Sequence, residues 1–173
     1  PGHFSQVNWA GNALLIETVC EAAAGMEPGA ALDLYAGGGN FSLPLMSAGW
    51  RVTAVEGQEE AAQACFVQAG GAGLAESLQV RAQAADLALD QLSEAGQRFD
   101  LALLDPPREG AKGLMSGLAA LGPRRVVYVS CHPAALARDA QELTAAGYRP
   151  SALTVLDLFP HTGPVEAVLV LDR

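Results

Sequence analysis

The sequence predicts an α/β fold, a doubly wound and mostly parallel seven-stranded Rossmann-like sheet that ends in an antiparallel hairpin. Three observations carry this prediction. Short apolar runs alternate with helix-like runs from residue 31 to residue 146, and such alternation builds a parallel sheet covered on both faces. Gly37, Gly38 and Gly39 stand in succession where the first apolar run passes into a helix-like run. The last two strand-like runs are separated only by residues 160–164, too few for a helical crossover, so they pair as a hairpin at or near an edge.

Taken in order, residues 1–8 show no helical period and read as an extended entry segment, with Asn8 placed to cap the first helix. Residues 10–24 are a helix by composition, with Leu14, Leu15, Thr18 and Val19 along one face and Gly25 as the stop. Strands follow at 31–35, 52–55, 78–82, 100–104 and 125–130. Helices fall at 41–48, 58–69, 87–94, 112–121 and 134–146. The runs 152–159 and 165–171 complete the seven strands, the last reversed. That order resembles the S-adenosylmethionine-dependent methyltransferase fold. Ligands of a doubly wound sheet lie beyond the carboxyl ends of its strands. The candidates are therefore residues 35–40, Glu56, Asp86, residues 105–108 and residues 130–133.

With 173 residues, half of them hydrophobic, the chain fits one domain with a sizeable core. No apolar run approaches a membrane span, and residues 1–8 show no basic leader followed by an apolar stretch. Cys20, Cys65 and Cys131 are far apart and lack metal-ligand spacing, so no metal is expected and free thiols in a reducing cytoplasm are. The expected particle is a cytoplasmic monomer with no membrane contact. Nineteen acidic against ten basic residues give a net charge of −9, which is unhelpful for gripping a phosphate backbone. Arg108, Lys112, Arg124, Arg125 and Arg138 all fall in the second half, either as solubilising charge or as a nucleic-acid face.

Residues 33–40, Asp-Leu-Tyr-Ala-Gly-Gly-Gly-Asn, place glycines where backbone can approach a ligand closely, although a plain tight turn has the same look. Glu56 favours the ligand. It ends the next apolar run about 20 residues after the first glycine, where an acid can accept hydrogen bonds from a ribose hydroxyl. A dinucleotide fingerprint needs glycine or alanine at position 42, which is Ser42. Asp33 suits a ligand with a sulfonium and an ammonium better than a pyrophosphate, whose charge it would repel. S-adenosylmethionine is the favoured cofactor and NAD the lesser reading.

Residues 99–108 are a buried strand ending in Asp105-Pro106-Pro107-Arg108, and the prolines hold Asp105 at the strand tip. Similar tetrads occur in enzymes that methylate exocyclic amines of bases, so this element alone does not choose the reaction. The strand 126–130 then ends in Ser130-Cys131-His132-Pro133, which puts Cys131 on the same rim. A thiol beside a methyl donor makes sense if the target is an unactivated pyrimidine carbon. Its addition to uracil C6 makes C5 nucleophilic, and a base then removes the C5 proton. His132, adjacent in sequence, is given a structural role. Glu166 is an isolated charge in an apolar run, either an edge-strand charge or a base with a raised pKa.

Together, F-S-Q-V-N at 4–8, D-L-Y-A-G-G-G-N-F-S at 33–42, V-E-G at 55–57 and L-L-D-P-P-R-E-G at 103–110 form one part of a pattern. Y-V-S-C-H-P at 128–133, A-L-A-R-D at 135–139 and D-L-F-P-H-T-G-P-V-E at 157–166 complete it. In this order, and over essentially the whole chain, they resemble the RNA 5-methyluridine methyltransferases of transfer RNA and 23S ribosomal RNA, the ribosomal enzymes most. The resemblance implies that Gln6, Tyr35, Asn40, Glu56 and Asp105 line the S-adenosylmethionine site, with Asp86 as an adenine contact. It implies Cys131 as nucleophile and Glu166 as the base that takes the C5 proton. Arg108 lies near the target-base region without a defined role.

Two departures stand out. The family often has histidine where this chain has Pro164, and its longer members begin with an RNA-binding barrel domain, several with a cysteine-rich iron–sulfur region. The chain therefore reads as the catalytic domain, residues 1–173, of a longer protein whose RNA grip lies elsewhere. The rival functions are an amine-directed nucleic-acid methyltransferase built on Asp105-Pro106-Pro107 and a cofactor-binding module that does no chemistry alone.

Overall fold

In the computed structural model, residues 9–158 and 165–173 are described. The strands are β1 (Ala30–Leu34), β2 (Arg51–Glu56), β3 (Leu78–Ala82), β4 (Leu101–Leu104), β5 (Arg125–Ser130), β6 (Arg149–Leu156) and β7 (Glu166–Asp172). The helices are α1 (Trp9–Ala23), α2 (Ser42–Ser47), α3 (Glu59–Gly71), α4 (Ala85–Glu94), α5 (Met115–Ala120) and α6 (Pro133–Ala145). The strands form one sheet in the order β3-β2-β1-β4-β5-β7-β6. β1 to β5 run parallel, and β7 is antiparallel to both of its neighbours. The doubly wound sheet with a reversed last strand is the expected architecture.

Alternation along the central strands sorts the helices onto two faces. Leu32, Leu34, Ala102, Leu104, Val126 and Tyr128 point to one side and pack with buried residues of α4, α5 and α6. Ala31, Leu101, Leu103, Val127 and Val129 point to the other and pack with α1, α2 and α3. Both faces being covered, β1, β4 and β5 need apolar residues at nearly every position. Two buried positions break that rule, Asp33 inside β1 and Ser130 at the end of β5.

Most boundaries shift by one or two residues from the sequence reading, and three of the shifts matter for the site or the sheet edge. The helix expected at 112–121 is the shorter α5, because Gly113 has a left-handed φ of 80° and delays the helix. α4 begins at Ala85, so Asp86 sits in its first turn and not in the loop before it. The first tail strand, read as 152–159, is Arg149–Leu156. Pro150 is tolerated because β6 is the outermost strand and slips register between Pro150 and Ala152. Asn8 lies outside the described residues.

The reversed tail is tied to the start of the chain. Arg125 donates to both carboxylate oxygens of Asp172, at 2.6 and 3.1 Å, and to the Ala22 carbonyl at 2.7 Å. One guanidinium therefore joins β5, β7 and the end of α1.

Two substitutions separate sheet centre from sheet edge. Leu103 is fully buried in β4, whereas Leu153 of β6 is 61% exposed. Leu103→Ala is expected to cost about 2–5 kcal/mol in urea unfolding, and Leu153→Ala no more than about 0.5 kcal/mol.

Candidate active site

The carboxyl ends of β1, β2, β4 and β5 meet on one rim, and the reversal of β7 brings its amino end to the same place. Between β1 and α2 the backbone turns sharply. Tyr35, Gly37 and Gly39 all have left-handed φ, of 62°, 55° and 94°. A Cβ on Gly39 would lie 2.9 Å from the Cys65 sulfur, so α3 can approach this loop only because the side chain is absent there. A Cβ on Gly37 would meet nothing within 4 Å, which leaves that side of the loop open to a ligand.

Acid and amide side chains fasten the loop. Glu56 accepts from the Gly37 and Gln58 backbone amides, both at 2.8 Å. Asn40 exchanges two hydrogen bonds with Asn12 of α1, at 2.9 and 3.0 Å. Gln68 of α3 donates to the Gly38 carbonyl at 2.9 Å. Asp86 accepts from the Leu87 amide of its own helix turn at 2.8 Å. It also lies within electrostatic reach of Tyr35, whose phenol is raised by burial first and by Asp139 and Asp86 in addition.

Beneath the loop lies a group of carboxylates. Asp33 is fully buried; its Oδ2 accepts from the Ser42 hydroxyl at 2.6 Å, and its Oδ1 has no hydrogen-bond partner among the described residues. Burial pushes its pKa up to about 7, with the Glu56 charge adding to the rise and the Ser42 hydrogen bond opposing it. Asp105, beyond the tip of β4, is also pushed up to about 7 by burial, and further by the charges of Glu166 and Asp33. Among the described residues no basic side chain offsets either rise. Two carboxyls at the base of a glycine loop, one with an orphaned oxygen, are a natural seat for a cation.

Cys131 and Glu166 are brought together by strand register. Ser130 of β5 pairs with Ala167 of β7, so the next residue outward on each strand is Cys131 on one and Glu166 on the other. Neighbouring strands lie about 5 Å apart. Burial raises the Cys131 thiol, Glu166 and Asp105 add to the rise, and Arg108 lowers it. Burial also raises Glu166 above the usual carboxylate range. A thiol held in its neutral form beside a carboxyl of increased basicity is a pair suited to addition and proton removal at one small ring. His132 is the N-cap of α6, where its Nδ1 accepts from the Ala135 amide at 3.2 Å. That is the structural role expected of it.

Of the residues singled out in the sequence, Asp105, Cys131 and Glu166 thus form one electrostatic group. Tyr35, Asn40 and Glu56 belong to or fasten the glycine loop, and Asp86 lies within electrostatic reach of Tyr35. Gln6 lies outside the described residues, as does Pro164. Among the described residues no cluster of potential metal ligands occurs, and no helix is long and apolar enough to cross a membrane. A separate hollow of about 330 Å³ lies at the opposite, amino ends of β1 to β3, lined by Ala30, Arg51, Thr53, Gln79 and Arg98 among others. It contains none of the predicted site residues.

A family model described as tRNA (uracil-5-)-methyltransferase matches residues 1–173. The chain belongs to this family. It is 45% identical over 177 residues to the 23S rRNA (uracil(1939)-C(5))-methyltransferase RlmD of Alkalilimnicola ehrlichii, with all of the chain covered. The RlmD of Cronobacter sakazakii is 43% identical over 178 residues. The chain spans about two-fifths of the length of these relatives, 39% of the first and 40% of the second. Among solved structures, the Pyrococcus abyssi tRNA (uracil-54, C5)-methyltransferase in complex with S-adenosyl-L-homocysteine superposes with a TM-score of 0.83 at 30% identity. That match covers 99% of this chain and 40% of the Pyrococcus one. The magnesium protoporphyrin IX methyltransferase of Synechocystis, at 20% identity and a TM-score of 0.73, shares the fold alone.

Two structural features of this family member lie beyond the residues that its motifs assign to the site. Asp33, read in sequence as an acid suited to a sulfonium and an ammonium but not among the site residues that the resemblance implies, sits inside an otherwise apolar strand. Asp139 stands within A-L-A-R-D with no role attached. It falls on the buried stripe of α6 with Ala135, Leu136 and Leu143, and an acid on an apolar stripe is the signal that identifies it.

The two raised carboxyls make stability depend on pH. An unfolded chain releases these protons near pH 4, whereas the fold holds them to about 7. Their contribution therefore destabilises the fold progressively from about pH 4 to 7 and levels off above. Asp33→Asn should raise the melting temperature of the cofactor-free protein at pH 8, with the gain shrinking toward pH 4. Differential scanning fluorimetry across that range tests it; a gain independent of pH would contradict the assignment.

Proposed function

We propose that this chain is a catalytic domain that transfers a methyl group from S-adenosylmethionine to C5 of a uridine in RNA. The ribosomal relatives favour 23S rRNA, and the family and the Pyrococcus neighbour keep transfer RNA as the alternative. The observation that carries the reading is the convergence of Cys131 and Glu166 at the ends of an antiparallel pair, beside the buried Asp33 and the half-buried Asp105, whose raised pKa values no basic side chain among the described residues offsets. The chain spans two-fifths of its relatives and carries a net charge of −9, so we place most of the RNA grip outside it.

The cofactor fits the residues present. Its sulfonium and ammonium charges match the uncompensated Asp33 and Asp105, and its ribose hydroxyls match Glu56, which keeps free lone pairs beyond the two amides it accepts. Tyr35, Asn40 and Asp86 complete the site from the loop and from α4, and Gln6 is assigned with them from sequence. When bound, S-adenosylmethionine supplies an electrophilic methyl group. Cys131 gives up its proton to solvent and forms a sulfur–carbon bond to uracil C6, and the ring's electron pair moves to C5. After methylation at C5, Glu166 takes the C5 proton, the C6–sulfur bond breaks, and the thiolate leaves. The raised thiol pKa keeps Cys131 protonated at rest, which limits side reactions and makes proton loss part of substrate engagement.

Incubation with S-adenosylmethionine and a 23S rRNA fragment carrying 5-fluorouridine tests this. Fluorine cannot leave as a proton does, so a covalent protein–RNA adduct is expected by intact mass and should be absent in Cys131→Ser. Glu166→Gln should retain an adduct on ordinary uridine while turnover falls by about 10²-fold or more. Full turnover by Cys131→Ser overturns the mechanism.

A further inference from the structure

The turn that follows Asp105 is held by groups that the reaction itself does not use. Gly110 donates to the Pro107 carbonyl at 2.8 Å, closing a turn over residues 107–110 with Arg108 within it. Both sides of this turn are fastened to α6 by one buried ionic group. Asp139 is fully buried, and its Oδ2 accepts from the Ala111 amide at 2.7 Å and from the Tyr128 hydroxyl at 2.6 Å. Its Oδ1 accepts from Arg138 Nε at 2.8 Å, and a terminal nitrogen of Arg138 donates to the Glu109 carbonyl at 2.9 Å. Tyr128 also receives a longer bond from the Ala111 amide, at 3.2 Å.

Close packing makes the arrangement exacting. Gly110 has a φ of 79°, and a Cβ there would lie 2.6 Å from both Arg138 and Asp139 and 3.0 Å from the Ala135 side chain. A buried carboxylate that accepts from an amide, a phenol and a guanidinium, with each donor in turn fixed, has one arrangement and not several. Such a group can hold a short turn in a single position.

What the turn carries points to the reason. β4 and β5 are parallel neighbours with Leu104 opposite Tyr128, so the turn that carries Arg108 and the residue Cys131 leave the sheet at the same rim. Among the described residues the charged groups within electrostatic reach of Cys131 are Glu166 at the start of β7, Asp105 beyond β4 and Arg108 in this turn. Arg108 alone among them favours the thiolate. Asp105 is anchored independently, since its amide donates to the Leu34 carbonyl at 3.4 Å, whereas Arg108 depends on the turn. We propose that Asp139, with Tyr128 and Arg138, is a positioning residue that holds the 107–110 turn so that Arg108 stands beside the Cys131 thiol. This rests on the assignment of Cys131 as the nucleophile.

The test is a double-mutant cycle read on the thiol itself. Alkylation of Cys131 by iodoacetamide is followed from pH 6 to 10 by peptide mass, which separates it from Cys20 and Cys65, in wild type, Arg108→Ala, Asp139→Asn and the double variant. Arg108→Ala and Asp139→Asn should each move the alkylation midpoint upward, by of order half a pH unit, or about threefold in rate below it. The double variant should move it no further, because Asp139 acts through Arg108. Methyl transfer by Asp139→Asn should lose kcat by roughly tenfold with little change in cofactor affinity. Tyr128→Phe keeps the fold's volume and should give a smaller shift of the same sign, which covers the case in which Asp139→Asn does not fold. An unmoved midpoint in folded Asp139→Asn or Tyr128→Phe overturns the proposal, as does an additive double variant. The cycle needs no RNA, so a failure of the methylation reading would show in the fluorouridine experiment and leave this result standing.

Discussion

A carboxyl group in the middle of a parallel sheet is the constraint around which this structure is arranged. Asp33 lies in β1 between β2 and β4, with Ala54 and Leu103 as its register partners and the Ser42 hydroxyl as its donor. Keeping it there costs a few kcal/mol at neutral pH, since each tenfold change in proton affinity is worth about 1.4 kcal/mol. The apolar layers on both faces of β1, β4 and β5 offset that cost. A cation at the glycine loop would relieve it directly, so the cofactor proposed for this site would also stabilise the fold. Instability of the empty protein and affinity for a cationic ligand then have the same origin.

The mostly parallel sheet with a reversed last strand was legible because alternating apolar and helix-like runs leave few architectures open. A strand buried on both faces reads as a near-continuous apolar run; β4 does so throughout, and β1 and β5 do so except at Asp33, Arg125 and Ser130. β6 shows where such reading fails. Leu153 and Val155 look like core residues in sequence, yet they are 61% and 58% exposed, because an outermost strand is buried only by what its neighbour covers. Boundaries failed at Gly113 and Pro150 for a related reason, since left-handed backbone and edge position are not properties of composition.

The candidate site was legible to the extent that its residues end strands. Glu56, Asp105, Cys131 and Glu166 each stand where an apolar run stops or starts, and topology carries such positions to one rim. The supporting network was not legible. Asp139 meets its partners across 28 residues at Ala111 and 11 at Tyr128, and no spacing rule links an acid on a helix to a turn after another strand. Asn40 is a similar case. Its likeness to a ligand contact is visible in sequence, whereas its two bonds to Asn12 depend on where α1 docks.

Reversal of the last strand accounts for the position of Glu166. In an all-parallel sheet the residue that begins a strand lies at the amino end, opposite the glycine loop. β7 enters between β5 and β6 in the antiparallel sense, so its first residue is delivered to the carboxyl rim, and Glu166 follows Cys131 across the pair. The pair is also less mobile than a loop contact would be, because six register pairs from Arg125–Asp172 to Ser130–Ala167 fix its offset. A slip of one residue would turn every side chain of β7 to the opposite face, taking Val168 and Leu171 out of their layers. The core on both faces of the sheet therefore holds thiol and carboxylate in register, and the proposed chemistry inherits its alignment from hydrophobic packing.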